Sequence, residues 1–248
     1  TPYKKELDAL WTAHGSKINC LITEPYLGGG GSNHPHPAYL QMLQAWCREH
    51  DIVFILDEVQ ANFGRTGKMY AFEKYGLEPD IVVLGKGLGN GVAVSAAVGR
   101  GDLMGSLKYG EGSDTWSANP MASASVVATL DEFETQDVLG HAEKLHKIFV
   151  EGLQKLKQTG VICNLRGEGM VFGLECAPIG KLTANETAIE FVKTCYLGRP
   201  GGDGIHFLGA LAGKVLRVSP PMTMTEQEAR DSLALLHELI SDMAARHR

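Results

Sequence analysis

A carboxylate and an amine follow two short apolar stretches of this chain. Residues 52–56 are apolar and lead to Asp57, and residues 81–84 are apolar and lead, after one glycine, to Lys86. Such stretches predict two buried parallel strands. Ligands of open α/β sheets bind beyond the carboxyl ends of the strands. A lysine and an aspartate placed there suit pyridoxal phosphate (PLP), because the amine bonds to its aldehyde and the carboxylate pairs with its ring nitrogen.

Both charged residues also have an ordinary structural interpretation. Lys86 lies in the sequence Gly85-Lys-Gly-Leu-Gly89, where an amine could equally be a surface group in a turn or a clamp for a phosphate. Asp57 could equally cap a helix. The glycine clusters complete neither GxxxxGK[ST] nor GxGxxG, so the nucleotide-binding loops built on those patterns are excluded.

Composition and charge exclude several classes of protein for this chain. The 248 residues carry a net charge of −6, which argues against nucleic acid as a main partner. No apolar run approaches the roughly 20 residues that span a bilayer, and the first residues have no secretory signal pattern. The five cysteines have no CxxC spacing, which predicts a reduced, cytoplasmic protein. The histidines form no zinc-binding pattern, so no metal site is expected.

The hydrophobic pattern changes character near residue 135. Before it, strands alternate with helices, which predicts an α/β domain with a mostly parallel sheet over residues 1–135. After it, a long helix is followed by short strands and two further helices, which predicts a smaller α+β domain over residues 136–248. PLP is expected to bind the first of these domains.

Three ordered motifs carry a resemblance to a known family. They are Leu56-Asp-Glu-Val-Gln-Ala-Asn-Phe-Gly-Arg-Thr-Gly-Lys68, Tyr75-Gly-Leu-Glu-Pro-Asp-Ile81 and Gly85-Lys-Gly-Leu-Gly89. Together they resemble the signature of class III (ω-type) aminotransferases, PLP enzymes of fold type I that include the 4-aminobutyrate, ornithine and acetylornithine aminotransferases. The resemblance covers essentially the whole chain. It is specific for the family and much less so for the substrate.

The resemblance implies a role for each residue beside the cofactor ring. Lys86 matches the Schiff-base lysine, and Asp57 matches the partner of the pyridinium nitrogen. Val59 matches a residue that packs on one face of the ring. Gln60 matches a residue that reaches the phenolic oxygen of the ring.

Thr115 matches a threonine that donates to the cofactor phosphate of the neighbouring subunit, so the resemblance implies a homodimer. The family usually has two glycines after this threonine, where this chain has Ser117-Ala118. The alternative for Thr115 is a cap at the entry of the helix that begins at Pro120.

Two further matches concern the substrate. Arg217 matches the family arginine that binds the substrate α-carboxylate, for which a planar guanidinium is suited because it binds bidentately. Glu24 matches a glutamate that pairs with this arginine in some members. Release of that pair would let one site accept both an ω-amine and a 2-oxo acid. A purely structural ion pair between Glu24 and Arg217 is the open alternative.

The implied reaction moves an amino group from an amine or ω-amino acid to a 2-oxo acid by a ping-pong mechanism. Other PLP chemistry on the same scaffold, by an aminomutase, racemase or decarboxylase, stays open, and so does an inactive fragment that serves as an interaction module. Members of the family carry a long segment before the position of Thr1, including a loop that grips the cofactor phosphate. The chain is therefore expected to be the C-terminal portion of an aminotransferase.

Overall fold

The computed structural model describes residues 1–210 and 212–247. They form two compact units. The second unit contains, besides the residues from Asp137 onwards, two short loops that interrupt the first unit in the sequence, Tyr26–His34 and Gly64–Gly67. Separate domains over residues 1–135 and 136–248 stay a prediction.

The first unit is built on a β-sheet. Its strands are β1 (Cys20–Thr23), β2 (Val53–Asp57), β3 (Ile81–Leu84) and β4 (Ala96–Gly99). They lie side by side in this order; β1–β2 and β2–β3 are parallel, and β3–β4 is antiparallel. The predicted mostly parallel sheet is confirmed.

Five helices accompany this sheet within the described part of the chain, and three of them begin with proline. Proline suits the first helical position because the backbone N–H that it lacks has no partner there. The second helix follows β1 and packs on β2, so the predicted strand–helix–strand unit is present. The helices are α1 (Pro2–His14), α2 (Pro37–Glu49), α3 (Ala71–Tyr75), α4 (Gly101–Met104) and α5 (Pro120–Thr135).

The prediction that β2 and β3 are buried is wrong for one face of the sheet. Phe54 and Leu56 are buried on the face that α2 covers. On the other face Ile55 is half-exposed, as are its register partner Ile81 and, two pairs further on, Val83. An apolar run does not reveal whether both faces of a strand are covered, because either arrangement tolerates it.

The second unit combines an antiparallel sheet with long helices. Thr183 and Thr225 cap two of the helices by reciprocal hydrogen bonds with Glu186 and Glu228, which satisfies backbone donors at the helix starts. The sheet order is β5-β6-β7. The elements are α6 (Val138–Lys155), β5 (Ile162–Glu168), β6 (Val171–Cys176), α7 (Ala184–Leu197), β7 (Val215–Val218) and α8 (Glu226–His247).

The core of this unit is an apolar cluster. Leu145 and Leu153 of α6, Leu174 of β6, Phe191 of α7 and Ile240 of α8 are all almost completely buried in it. The predicted α+β character of the C-terminal part is therefore confirmed. None of the helices in the described ranges is both long and apolar enough to cross a bilayer.

Candidate active site

Asp57 and Lys86 lie at the same end of two neighbouring strands. Asp57 is the last residue of β2 and pairs in register with Val83 of the parallel strand β3. Lys86 opens the short 3-10 turn Lys86–Leu88 that comes after β3. Lys86 is exposed and Asp57 is half-buried. The sheet therefore brings both side chains to the edge where open α/β sheets bind their ligands.

The amine of Lys86 has a neutral hydrogen-bond partner. Its Nζ donates to Oε1 of Gln60 over 3.2 Å. Gln60 belongs to the turn that comes after β2. An amide oxygen accepts from an amine without adding a full negative charge beside it. The amine is thus oriented by Gln60 and open to solvent.

Asp57 and Val59 shape the same turn. Oδ1 of Asp57 accepts a hydrogen bond from the backbone N–H of Val59 over 3.1 Å. A methyl group added to Gly85 would lie 3.2 Å from Cγ1 of Val59, so Val59 packs against the residue before Lys86. Asp57, Val59 and Gln60 therefore belong to one turn, in which Gln60 contacts Lys86 and Val59 lies beside Gly85.

The backbone of Lys86 is strained. Its φ is +45°, in the left-handed region that residues with a Cβ rarely adopt. Strain of this kind costs of the order of 1–3 kcal/mol and persists only where the surroundings hold it, most often at functional sites. The sequence pattern of alternating glycines around Lys86 indicated a tight turn, but it did not reveal that the lysine itself takes the left-handed position.

Glu58 is a buried carboxylate that was not predicted from the sequence. It is 0% exposed, and its two oxygens accept hydrogen bonds of 2.7 Å from the backbone N–H groups of Ala71 and Phe72, at the start of α3. Burial raises the pKa of Glu58 to about 7, the two N–H donors oppose that rise, and Glu73 adds to it. Glu58 therefore ties α3 to the end of β2, directly beside Asp57.

Strand alternation was the signal that could have found Glu58. Phe54, Leu56 and Glu58 share one face because successive side chains of a strand point to opposite sides. Both apolar members of that row are buried, so a third member two residues further on was also to be expected in the interior.

Thr115 lies in an exposed loop of the first unit, before α5. The structural alternative for this residue is wrong, because the helix cap is Asn119: its Oδ1 accepts from the backbone N–H of Ala122 over 2.9 Å. Asn119 directly precedes Pro120 and can therefore reach the first-turn donors, whereas Thr115 is too far along the chain. The role of Thr115 beside a phosphate stays a prediction.

Arg217 lies in β7 of the second unit, in a row of residues that crosses the sheet. Arg166 of β5 pairs with Gly173 of β6, and Gly173 pairs with Arg217. Arg166 is held by the carboxylate of Glu175 over 3.0 Å. The contact of Arg217 is longer: its Nη1 lies 3.5 Å from the backbone oxygen of Gly28. The two arginines of this row are thus fixed to very different degrees.

Glu24 comes directly after β1 in the first unit and is half-buried. Its predicted pairing with Arg217 of the second unit stays a prediction. No group of three or more His, Cys, Asp or Glu side chains within residues 1–210 and 212–247 could hold a metal ion.

The residues at the end of β2 and β3 fit PLP. The cofactor needs an accessible amine for its aldehyde and a carboxylate for its ring nitrogen. Lys86 supplies an exposed amine, and half-buried Asp57 supplies a carboxylate at the same edge of the sheet.

Comparisons with known proteins agree with this site. A family model described as aminotransferase class-III matches residues 2–240. The acetylornithine aminotransferase of Caldanaerobacter subterraneus is 33% identical over 239 residues, which is 96% of this chain and 57% of that protein. The leucine/methionine racemase of Thermococcus litoralis is 34% identical over 91% of this chain and 50% of its own length.

A solved aminotransferase structure also resembles this chain. The crystal structure of acetylornithine aminotransferase from Elizabethkingia anophelis superimposes with a TM-score of 0.84 at 28% identity, over 95% of this chain and 60% of that one. The chain thus spans between 50% and 60% of the length of these three relatives. Class III aminotransferases are PLP-dependent enzymes of fold type I. This chain belongs to the class III aminotransferase family.

Proposed function

We propose that this chain carries the Lys86 attachment site of a PLP-dependent aminotransferase, which moves an amino group from an amine or ω-amino acid to a 2-oxo acid. The observation that carries the proposal is the position of the Lys86 amine, 3.2 Å from Gln60, at the same sheet edge as Asp57. Membership of the family supports the type of reaction.

Each residue of the group has a part in this proposal. When bound, PLP supplies an electron sink for the charge that develops at the substrate Cα. Lys86 holds the cofactor covalently and, once released, moves the proton at that carbon. Asp57 stabilises the protonated ring nitrogen, because an opposite charge within about 4–6 Å favours the charged form. Val59 packs on the ring, and Gln60 donates its amide N–H to the phenolic oxygen.

Arg217 and Glu24 act on the substrate in this proposal. The guanidinium of Arg217 binds the substrate carboxylate bidentately. Its 3.5 Å contact with Gly28 is at the outer limit of a hydrogen bond, so exchanging it for a carboxylate costs little. Glu24 pairs with Arg217 when no carboxylate is bound there.

The proposal extends to assembly and location. Thr115 donates to the cofactor phosphate of a neighbouring subunit, so the working enzyme is a homodimer. The ligands are a small amino donor and a 2-oxo acid, with neither nucleic acid nor membrane as a partner. The free state of all five cysteines supports a reducing, cytoplasmic location.

Amino-acid racemisation is the second candidate, and the leucine/methionine racemase among the relatives favours it. Both reactions begin with removal of the Cα proton by the same lysine. They differ in the next step, because racemisation returns a proton to the opposite face of Cα and consumes no 2-oxo acid. Loss of optical rotation from a single amino acid without any 2-oxo acid would identify the racemase, whereas strict dependence on a 2-oxo acid would identify the aminotransferase.

A titration of the chain with PLP, followed by its visible absorption, tests attachment at Lys86. The visible absorption band of a lysine-bound cofactor should appear in the wild-type chain and in a Lys108→Ala control, which removes an exposed lysine of the same unit. It should be lost in Lys86→Ala. A folded wild-type chain without the band would contradict attachment of PLP by this chain alone and favour an inactive fragment.

A further inference from the structure

Asn62 lies directly against the turn that carries Lys86. Its side chain belongs to the interior, with only 1% of the residue exposed. The amide Nδ2 donates a hydrogen bond of 3.0 Å to the backbone oxygen of Gly85. Its own backbone N–H donates to the oxygen of Glu58, also over 3.0 Å. Asn62 therefore connects the turn after β2 with the turn after β3.

The side chain of Asn62 also lies beside Gly87, the residue that follows Lys86. A Cβ placed on Gly87 would lie 3.0 Å from Oδ1 of Asn62 and 3.0 Å from Cβ of Phe63. Separations this short are tighter than ordinary carbon contacts, so a side chain at position 87 would crowd both residues and glycine avoids this. Asn62 therefore binds Gly85 through its Nδ2 and lies beside Gly87 through its Oδ1, and these are the two chain neighbours of Lys86.

This contact bears on where the lysine points. The oxygen of Gly85 belongs to the peptide unit whose nitrogen is that of Lys86, so holding the oxygen fixes the plane of that peptide. With this plane fixed, the φ of +45° at Lys86 sets the direction of its side chain. That direction is the one in which Nζ meets Gln60 over 3.2 Å.

We propose that Asn62 is a positioning residue for Lys86, which holds the strained turn so that the amine faces Gln60 and an incoming aldehyde. The inference rests on the proposed function for the role of Lys86. The hydrogen bond to Gly85 acts on the backbone, so Asn62 itself touches neither cofactor nor substrate.

The rate at which an amine-reactive anhydride modifies Lys86, mapped by mass spectrometry across a range of pH, tests the inference without any cofactor. Asn62→Ala removes the donor, and Asn62→Asp keeps the shape while replacing the donor by an acceptor. The expected result is a change of at least threefold in the rate at Lys86 and an altered pH profile there, with rates at Lys68 and Lys108 unchanged. PLP should load about tenfold more weakly, because the Gly85 oxygen then keeps only the backbone N–H of Leu88 as its donor.

Gln41→Ala is the matched control. Its Nε2 also donates to a backbone oxygen of the first unit, that of Tyr75, over 2.9 Å. This variant should lower the melting temperature and leave the modification rate of Lys86 unchanged. If a folded Asn62 variant does the same, Asn62 is purely structural and the inference is overturned.

The outcome also separates the two proposals. If the wild-type chain binds no PLP while the Asn62 variants still alter the modification of Lys86, the proposed function fails and the positioning role stands. If PLP binds at Lys86 and neither variant changes its modification or its loading, the positioning role alone fails.

Discussion

The Nζ of Lys86 lies 3.2 Å from the Oε1 of Gln60, although the two residues are 26 positions apart in the sequence. The contact exists because each residue comes after one of two adjacent parallel strands, so both turns emerge at the same edge of the sheet. Parallel pairing therefore assembles an oriented amine from two separate turns.

The strain at Lys86 predicts an unusual order of stability. In the left-handed region a Cβ costs roughly 1–2 kcal/mol, and glycine does not have that cost. Lys86→Gly should therefore be more stable to urea, without PLP, than Lys86→Ala by about 1 kcal/mol, even after the greater freedom of glycine in the unfolded chain is included. Equal stability of the two variants, or a more stable alanine variant, would contradict a left-handed Lys86.

Glu58 predicts a pH-dependent stability. Burial raises its pKa to about 7 in the folded chain, against an ordinary value of 4.5. A raised folded pKa contributes stability that is fully present below the unfolded pKa and is lost as pH rises through the folded one. Relative to Glu58→Gln, the wild type should therefore lose about 3 kcal/mol between about pH 4 and pH 8.

Urea denaturation at several pH values across this window checks the Glu58 prediction. Glu134→Gln is the matched control, because Glu134 is an exposed carboxylate of the same unit. A stability difference between wild type and Glu58→Gln that stays constant with pH would rule out the raised pKa.

Alanine variants of Asn119 and Thr115 distinguish a residue that caps a helix from one whose predicted role is binding. Asn119 caps α5 through Ala122, so Asn119→Ala should lower the free energy of unfolding by about 1 kcal/mol. Thr115 is exposed in a loop, and Thr115→Ala should change stability by less than about 0.5 kcal/mol. Thermal unfolding of both variants measures this. A loss of stability in Thr115→Ala as large as in Asn119→Ala would restore the capping role that the structure assigns to Asn119.

Gly173 allows a close approach between β6 and the Tyr26–His34 loop. A Cβ on Gly173 would lie 2.7 Å from the backbone oxygen of Gly31, an oxygen that also accepts from Nε of Arg166. Gly173→Ala should therefore cost about 2 kcal/mol of stability through overpacking. Gly29→Ala in the same loop meets no atom within 4 Å and should be nearly neutral. Calorimetry that finds the two variants equally stable would exclude this close approach.

Much of the fold was predictable because strands and helices have different periods in the pattern of apolar residues. The strands that end near Asp57 and Lys86, and the helix that begins at Pro120, appear where the pattern places them. The pairing of β2 with β3 agreed with the preference of such runs for parallel sheets. Exposure of the second sheet face could not be predicted, because it depends on which elements cover the sheet.

Parts of the site could not be predicted from the sequence because they depend on contacts between distant segments. The burial of Glu58 and Asn62 arises from contacts with α3 and with the Gly85 turn, which lie 13 and 23 positions away. The left-handed backbone of Lys86 is imposed by its neighbours against the local preference of lysine. Local sequence could identify Asp57 and Lys86 but not the contacts that orient them.

Covalent attachment at Lys86 is the central claim, and reduction followed by peptide mapping tests it most directly. The chain is incubated with PLP, treated with borohydride, digested and analysed by mass spectrometry. We expect a phosphopyridoxyl group on Lys86 at far higher occupancy than on the exposed Lys68 or Lys108 of the same unit. Equal labelling of all three lysines, or labelling that bypasses Lys86 in the folded chain, would contradict the claim.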